Sequence, residues 1–583
     1  MEGSRPIWTR TSVAAIAAAV GATVFFAPHL WSMGDVYHGD WRYFHFVNEA
    51  IRTSIAEYGQ APLWNPWGCG GYPLHANPQS AALSPLTPLM LVFGTNPGMK
   101  LYLWLHVWVG LMGCFALARQ VGLRGVGTWY LPVAYATSSW FAWRLTGGQM
   151  PMAAGFLLPW ALFFYLRARA EGWRWAVGAA FVIALMILEG SIVGVPMAFL
   201  FLGSVAVLDS VLDRDWRPLA LAAGILAGGV VLASVKIVPV LDLLADRPRE
   251  VGTEDDRIGL STLAAIFLDR RTDIWVDAAK DGPLRYRWWG EYGAYLGPVG
   301  IALLVAAMAR HLRSQRKWLI LMVLFVFVMM GTWGPWSPWE LLKRLPIYHS
   351  LRVPTRYAML VTLCVAIAGA AVLDRLGPWL RERGRARLAA VLPALLLAGA
   401  AADLWSYGVR VLSTVGHEEV RPVEVRPAFR QEPGNAGEME RYVRANAGTV
   451  SCYEAGWIAP AKGIRTNRAA EAWPLEPGAM DVATAAWSPN RIVLDVDVRV
   501  AGPLVVNVNH DRWWTASAGE VGVRDGVLAV DLPAGRHSLT LSYEPLPFRI
   551  GLALSGIAAA VAVALVAVRR RHRQAVSPQV LQP

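Results

Sequence analysis

The chain has 583 residues, of which 55% are hydrophobic and only 16% charged, with 28 Trp and a mean hydropathy of +0.36. So much apolar surface needs lipid to cover it, which excludes an ordinary soluble protein and leaves a polytopic membrane protein. The net charge of +12 does not point to nucleic acid, because Lys and Arg collect in short loops between apolar runs, where they meet anionic headgroups.

In chain order, Arg5 and Arg10 precede an uncharged run, 11–31, that is long enough to span a bilayer and lacks a convincing cleavage site. It reads as a first transmembrane helix rather than a signal peptide. Further apolar runs centre on 99–118, 126–143, 150–166, 175–190, 192–208, 218–241, 292–309, 318–333, 355–373, 388–407 and 550–568, which predicts about twelve spans. With the N-terminus inside, the basic loops Arg119/Arg124, Arg167/Arg169/Arg174, Arg214/Arg217, Arg310 to Lys317 and Asp374 to Arg387 fall on one side with the tail Arg569 to Arg573. That side is expected to be cytoplasmic and to hold both termini.

Five pieces then face outward: the loop 34–98, the turn Gly147 to Pro151, and the segments 242–292, 334–354 and 408–548. The last differs in composition from the transmembrane domain, 1–407. After a Pro/Arg/Glu-rich linker near 420–440 it alternates like sheet from Arg491, in RIVLDVDV, PLVVNVN, GVLAVDL and HSLTLSY. The expected architecture is an all-α polytopic domain followed by a small extracytoplasmic β-sandwich, about 446–548, with a last helix and basic tail over 549–583. Four cysteines are too few for a disulfide framework. Cys114 and Cys364 fall inside predicted helices, whereas Cys69 and Cys452 lie outside, paired or not.

The loop 34–98 is the most unusual stretch. Acids (Asp35, Asp40, Glu49), histidines (His38, His45, His75), aromatics and Gly/Pro turns crowd into it. Asp35 and Asp40 follow the first helix directly, where a carboxylate is held at the water boundary; a solvated loop is the plainer reading of one such acid. The return, PLWNPWGCGGYPLHANPQSAALSPLTP, carries so many turn-fixing residues that a defined backbone is expected. Asp35, His38, Asp40 and His45 have donor types that suit a divalent ion, but spacing of this sort is common by chance and no metal is assigned. Downstream, Arg352 and Arg356 flank Pro354 at a helix start, where backbone N–H groups also face an anion. Snorkelling to lipid phosphate is the alternative for both. Lys236 and Glu189 lie in apolar segments where a charge is costly without a partner, so each is expected to pair or to meet a ligand.

The order of these segments carries a resemblance. GD, PLWNPWGCGGYPLHANPQSAALSPLTPL, ASVKIVPVL at Ala233 to Leu241, EYGAYLGPVGIALL at Glu291 to Leu304, SLRVPTRYAML at Ser350 to Leu360 and LPAGRHSLTLSYEPLPFRIGL at Leu532 to Leu552 together resemble the YfhO family of bacterial membrane proteins. That family is similar to the GT-C superfamily of polyprenyl-phosphate-sugar-dependent glycosyltransferases. One departure is Gln149 in GGQMP, where such proteins often carry a Gly-His pair at the outer end of the fourth helix.

The resemblance implies an inverting glycosyltransferase of the bacterial inner membrane, moving a sugar from a polyprenyl phosphate to an acceptor on the outer face: a polymer, a lipid or a protein. Asp40 is then the expected general base, with Asp35 second, and Arg352, Arg356 and Lys236 are expected at the donor phosphate. Trp64, Trp67, Tyr72, Trp288 and Trp289 are candidates to stack on a sugar ring, and Glu189 to meet an acceptor hydroxyl or pair with Lys236 or a buried Arg. No cofactor is expected. A transporter of lipid-linked sugars, or a non-catalytic envelope assembly factor, are the alternatives, the first weakened by the absence of matching halves.

Overall fold

The computed structural model describes residues 7–30, 35–36, 39–248, 257–273, 288–418, 422–434, 438–453 and 458–575. Among these, seven helices are long and apolar enough to cross a bilayer. An eighth is added if Arg217–Leu232 and Ser234–Asp246, bent by 81° at their junction, count as one span. The expected twelve are not reached, and the reasons are local. The run 126–143 is two short helices, Gly127–Ala136 and Ser139–Thr146. The runs 175–190 and 292–309 become helices of 15 and 14 residues, about 21 to 23 Å long at 1.5 Å per residue and short of a hydrocarbon core of about 30 Å. Leu312–Met329 has the length, yet it opens on Arg313, Arg316 and Lys317. Hydropathy reports apolar content and not the place where a helix breaks.

The multi-pass core is organised around Ala358–Glu382, whose most apolar stretch is 89% buried. At the other extreme, the apolar part of Leu546–Ala575 is 6% buried and turns Ile557, Val561 and Val563 outward, as a lipid-facing helix does. It is pinned to the bundle where Gly551 meets Ser234 so closely that a Cβ there would sit 2.4 Å from the Ser234 carbonyl oxygen. The Val235 amide donates to Ser555 Oγ at 2.9 Å one turn on.

The β-rich region is two four-stranded antiparallel sheets. One runs in the order Glu520–Arg524, Val527–Leu532, Gly502–Asn509, Ala472–Pro474; the other runs Trp514–Ala516, Gly535–Tyr543, Arg491–Val498, Met480–Ser488. The four strands expected from alternation are present. Arg491–Val498 buries every second residue, with Ile492, Leu494, Val496 and Val498 facing the core between the sheets. The other four strands, Ala472–Pro474, Met480–Ser488, Trp514–Ala516 and Glu520–Arg524, are edges with weak or no alternation, which is why periodicity passed over them.

The first strand of the two four-stranded sheets is Ala472–Pro474. The preceding segment packs instead on the loop 34–98. Cys69 and Cys452 form a disulfide, 4.6 Å between Cα atoms, and the Thr449 amide donates to the Trp67 carbonyl at 3.1 Å while the Cys69 amide donates to that of Ser451 at 3.2 Å. Within the linker, Arg430–Glu432 pairs in parallel with Ala447–Thr449. The loop also docks on the sandwich directly: the Trp64 amide donates to Asn490 Oδ1 at 3.0 Å and Gln60 Nε2 to Ser488 Oγ at 2.8 Å. Loop, linker and sandwich thus form one layer on one face of the bundle.

Candidate active site

Asp40 begins the site. It stands at the N-terminus of the amphipathic helix Trp41–Ala56, which buries Tyr43, Phe44, Phe46 and Val47. Its backbone is fixed against the turn at Gly147: the Asp40 amide donates to the Gly147 carbonyl at 2.9 Å, and Trp41 Nε1 to that of Leu145 at 2.9 Å. Two glycines permit this approach. A Cβ on Gly39 would lie 2.7 Å from the Gly147 oxygen, and one on Gly148 would lie 2.1 Å from the Trp41 nitrogen; both residues have positive φ. The GD and GG pairs, far apart in sequence, are therefore one backbone junction.

The Asp40 carboxylate is half-buried and accepts a hydrogen bond from the Tyr453 hydroxyl. Burial raises its pKa above the ordinary carboxylate range; the bond from Tyr453 opposes this, the neighbouring Glu291 carboxylate adds to it, and Arg356 and Arg352 pull it back. Tyr453 is the residue after the disulfide-bonded Cys452, and its ring stacks on Tyr43, 5.0 Å between centroids. Tyr43 in turn accepts from Asn77 Nδ2 at 2.9 Å.

Beside Asp40 lies a buried carboxylate with two arginines. Arg356 grips Glu291 with both arms of its guanidinium, Nε to Oε2 at 2.9 Å and Nη2 to Oε1 at 2.6 Å. Gln149 Nε2 donates to the same Oε1 at 2.9 Å. Arg144, fully buried, reaches the Glu291 carbonyl at 3.1 Å and Oε2 at 3.8 Å, with its guanidinium over the Trp140 ring. Burial alone would raise the Glu291 pKa, but Arg356 and Arg144 outweigh it and hold it at about 2. Two guanidinium groups on one carboxylate leave the cluster a positive charge, before Arg352 is added.

Arg352 is exposed. It is set by Val353, whose φ of 64° puts a β-branched residue in the left-handed region. Such strain persists only where the surroundings impose it, here a turn that splits Arg352 from Arg356.

The structure thus brings Asp40, Arg352 and Arg356 together and disperses other expected site residues. Asp35 lies in a two-residue strand, Asp35–Val36, paired with His417–Glu418, and is placed by its main chain alone. Lys236 is buried, donating to the carbonyls of Asn77 at 2.5 Å and Ser80 at 3.0 Å, and so braces the return of the loop. Among the described residues Glu189 pairs with neither Lys236 nor an arginine but with His106, Nε2 to Oε2 at 2.7 Å, deep among helices. Trp64, Trp67 and Tyr72 are each 0% exposed and offer no face to a sugar. Trp64 packs against Trp514 and Tyr543 of the sandwich, Trp67 against Tyr58 and Trp487, and Tyr72 accepts from Asn65. Trp289 is buried beneath Arg271, 4.0 Å from guanidinium to ring centroid. Trp288 alone of the five remains half-buried, its indole against Gly147 and Gly290 at the Asp40 junction.

Of the histidines, burial pushes His45 and His75 down to about 3 and about 4; His45 meets Arg444, and His75 Nδ1 meets the Leu63 carbonyl at 2.9 Å. His38 lies outside the described residues. Among the described residues, no three His, Cys, Asp or Glu side chains converge to hold a metal ion.

Sequence reasoning missed Glu291, Arg144, Gln149 and Tyr453 as site residues. Glu291 opens the EYGAYLGPVG segment, and Gln149 is the departure in GGQMP, so both were visible as oddities without a partner. Tyr453 carried no signal beyond its place next to a cysteine.

No family model matches the chain, and no curated protein matches it. Among solved structures the chain is similar to the arabinofuranosyltransferase AftD from Mycobacteria, at 17% identity and a TM-score of 0.46 over 76% of this chain and 32% of that one. It is also similar to ArnT from Cupriavidus metallidurans bound to undecaprenyl phosphate, at 14% identity and a TM-score of 0.44 over 77% and 89%. The chain spans about a third of the length of AftD. At such distances the activity has to be argued from the site.

Proposed function

We propose that the protein is an inverting glycosyltransferase of the GT-C type, using a polyprenyl-phosphate sugar and acting on the face that carries the loop 34–98. The observation that supports this most is the Asp40 carboxylate, already engaged by a hydroxyl group, set beside a cluster with surplus positive charge. In the proposed step Asp40 takes the proton of an acceptor hydroxyl, whose oxygen bonds to the anomeric carbon as the bond from that carbon to the phosphate oxygen breaks. The electron pair leaves on the lipid phosphate. A hydroxyl is a poor nucleophile at neutral pH, so a carboxylate with a raised pKa is a suitable base. Arg352 is the cation exposed to meet the leaving phosphate, while Arg356 and Arg144 act through the field of the Glu291 cluster. The Tyr453 hydroxyl occupies the position at Asp40 that an acceptor hydroxyl would take.

The test is transfer in proteoliposomes offered a panel of polyprenyl-phosphate sugars and an envelope extract. Asp40→Asn is expected to lower transfer by at least about a hundredfold, the usual contribution of a general base, while donor binding persists. Full activity in that variant overturns the proposal, and sugar crossing the bilayer without covalent product would make the protein a transporter.

A further inference from the structure

The hydroxyl that meets Asp40 belongs to the chain itself. Tyr453 donates to Asp40 Oδ1 across 413 residues of sequence, and its side chain is held there from two directions. One hold is covalent, because Tyr453 directly follows Cys452 and that cysteine is bridged to Cys69. The strap before it is hydrogen-bonded to the same loop: the Cys69 amide donates to the Ser451 carbonyl at 3.2 Å and the Gly70 amide to that of Thr449 at 3.2 Å. The other hold is the stack on Tyr43, with 23° between the planes. Tyr43 is buried and lies in the first turn of the helix that starts after Asp40, so base and phenol are set against one rigid element.

Stability does not account for the contact. Tyr453 is 46% exposed. A hydrogen bond at a water-accessible side chain is exchanged for one with water at little cost, and the disulfide one residue away already fixes the strap. What the contact does assemble is half of a transfer reaction, a hydroxyl on a carboxylate base. A phenol is a stronger acid than an alcohol, and tyrosine is among the side chains that serve enzymes as nucleophiles. The other half is a cation for a leaving phosphate. Arg352 is exposed, and both it and Arg356 lie close enough to act on the Asp40 charge.

We propose that Tyr453 is itself an acceptor, glycosylated on its phenolic oxygen by the site it covers when no other acceptor is present. In this step Tyr453 Oη gives its proton to Asp40 Oδ1 and bonds to the anomeric carbon of a polyprenyl-phosphate sugar. The bond from that carbon to the phosphate oxygen breaks, and its electron pair leaves on the lipid phosphate. The product is a tyrosine O-glycoside. It has no proton left to donate to Asp40, and it carries the sugar where an external acceptor hydroxyl would stand. The inference rests on the glycosyltransferase reading for its donor and its base, and adds to that reading a modification site on the chain.

The experiment is mass spectrometry of the full chain in nanodiscs, incubated with polyprenyl-phosphate pentoses and hexoses, first without acceptor and then with the envelope extract. With at least one donor the chain is expected to gain the mass of one glycosyl residue, which peptide mapping places on Tyr453. Tyr453→Phe keeps a ring for the stack on Tyr43 and is expected to gain none. Asp40→Asn is expected to be modified at least about a hundredfold more slowly, the usual contribution of a general base. A chain that stays unmodified while it glycosylates the extract overturns the inference and leaves the glycosyltransferase reading standing. Sugar on another residue in place of Tyr453, or on Tyr453 at full rate in Asp40→Asn, overturns it as well. Absence of transfer to both Tyr453 and the extract would fell the reading and the inference together.

Discussion

Asp40 is held between opposing influences: burial and Glu291 favour its neutral form, while Tyr453, Arg356 and Arg352 favour the carboxylate. The net shift is upward from 3.8, so the proposed base is lost to protonation at a higher pH than an ordinary aspartate would be. The acid limb of kcat/KM in proteoliposomes is accordingly expected above pH 3.8, with activity falling as pH drops through it. Tyr453→Phe removes a bond that stabilises the charged form and is expected to move that limb further up; an unmoved limb would separate Tyr453 from the base. The two arginines divide in the same way. Arg352→Ala is expected to raise the donor KM about tenfold, the worth of one charge-assisted contact, with thermal stability unchanged. Arg356→Ala leaves the buried Glu291 carboxylate with only Gln149 and the more distant Arg144, and is expected to cost about 3 kcal/mol in stability, measurable by thermal unfolding in detergent.

At the scale of elements, the junction of the loop 34–98 with the turn Gly147 to Pro151 and the strap at Cys452 does what no single helix does. The disulfide links residues 383 apart in sequence and places Tyr453 over Asp40. Cys452→Ser is expected to lower stability by about 2 to 4 kcal/mol. It is also expected to reproduce the pH shift of Tyr453→Phe, because the tyrosine loses its anchor; a pH profile like that of the unmodified chain would show that the stack on Tyr43 suffices. The sequence made Asp40 and the LRVPTR arginines legible because each sits in a short segment with a local rule: an acid after a helix, a Pro at a helix start. Glu291, Arg144 and Gln149 obey no local rule. Their meaning is a contact between the segment of Arg144 and Gln149 and a residue 147 and 142 positions further on, and a lone buried acid reads the same whether or not it meets an arginine there. The aromatic loop misled for a related reason. Trp64 and Trp67 look exposed next to Gly and Pro, and the sandwich, invisible to the loop's own sequence, helps to cover them, with Trp514 and Tyr543 on the first and Trp487 beside the second.

Over the whole molecule, the layered arrangement ties the site to one side of the membrane. The sandwich, the disulfide and Asp40 share one face, while Arg169, Lys317, Asp209 and Asp213 form an ion-pair cluster among helix ends in the basic loops that the charge pattern assigns to the cytoplasm. A disulfide persists in an oxidising compartment and basic loops are retained inside, so the proposed orientation, with the Asp40 face outward, is consistent with both. Thr484 on the sandwich edge and Glu382 in the basic loop are both exposed and give the test. Background is low, since Cys69 and Cys452 are bridged and Cys114 and Cys364 buried. In right-side-out vesicles a membrane-impermeant maleimide is expected to label Thr484→Cys and spare Glu382→Cys until the membrane is permeabilised. The reverse pattern would put Asp40 on the cytoplasmic side, where the same geometry would have to act on a substrate facing the opposite leaflet.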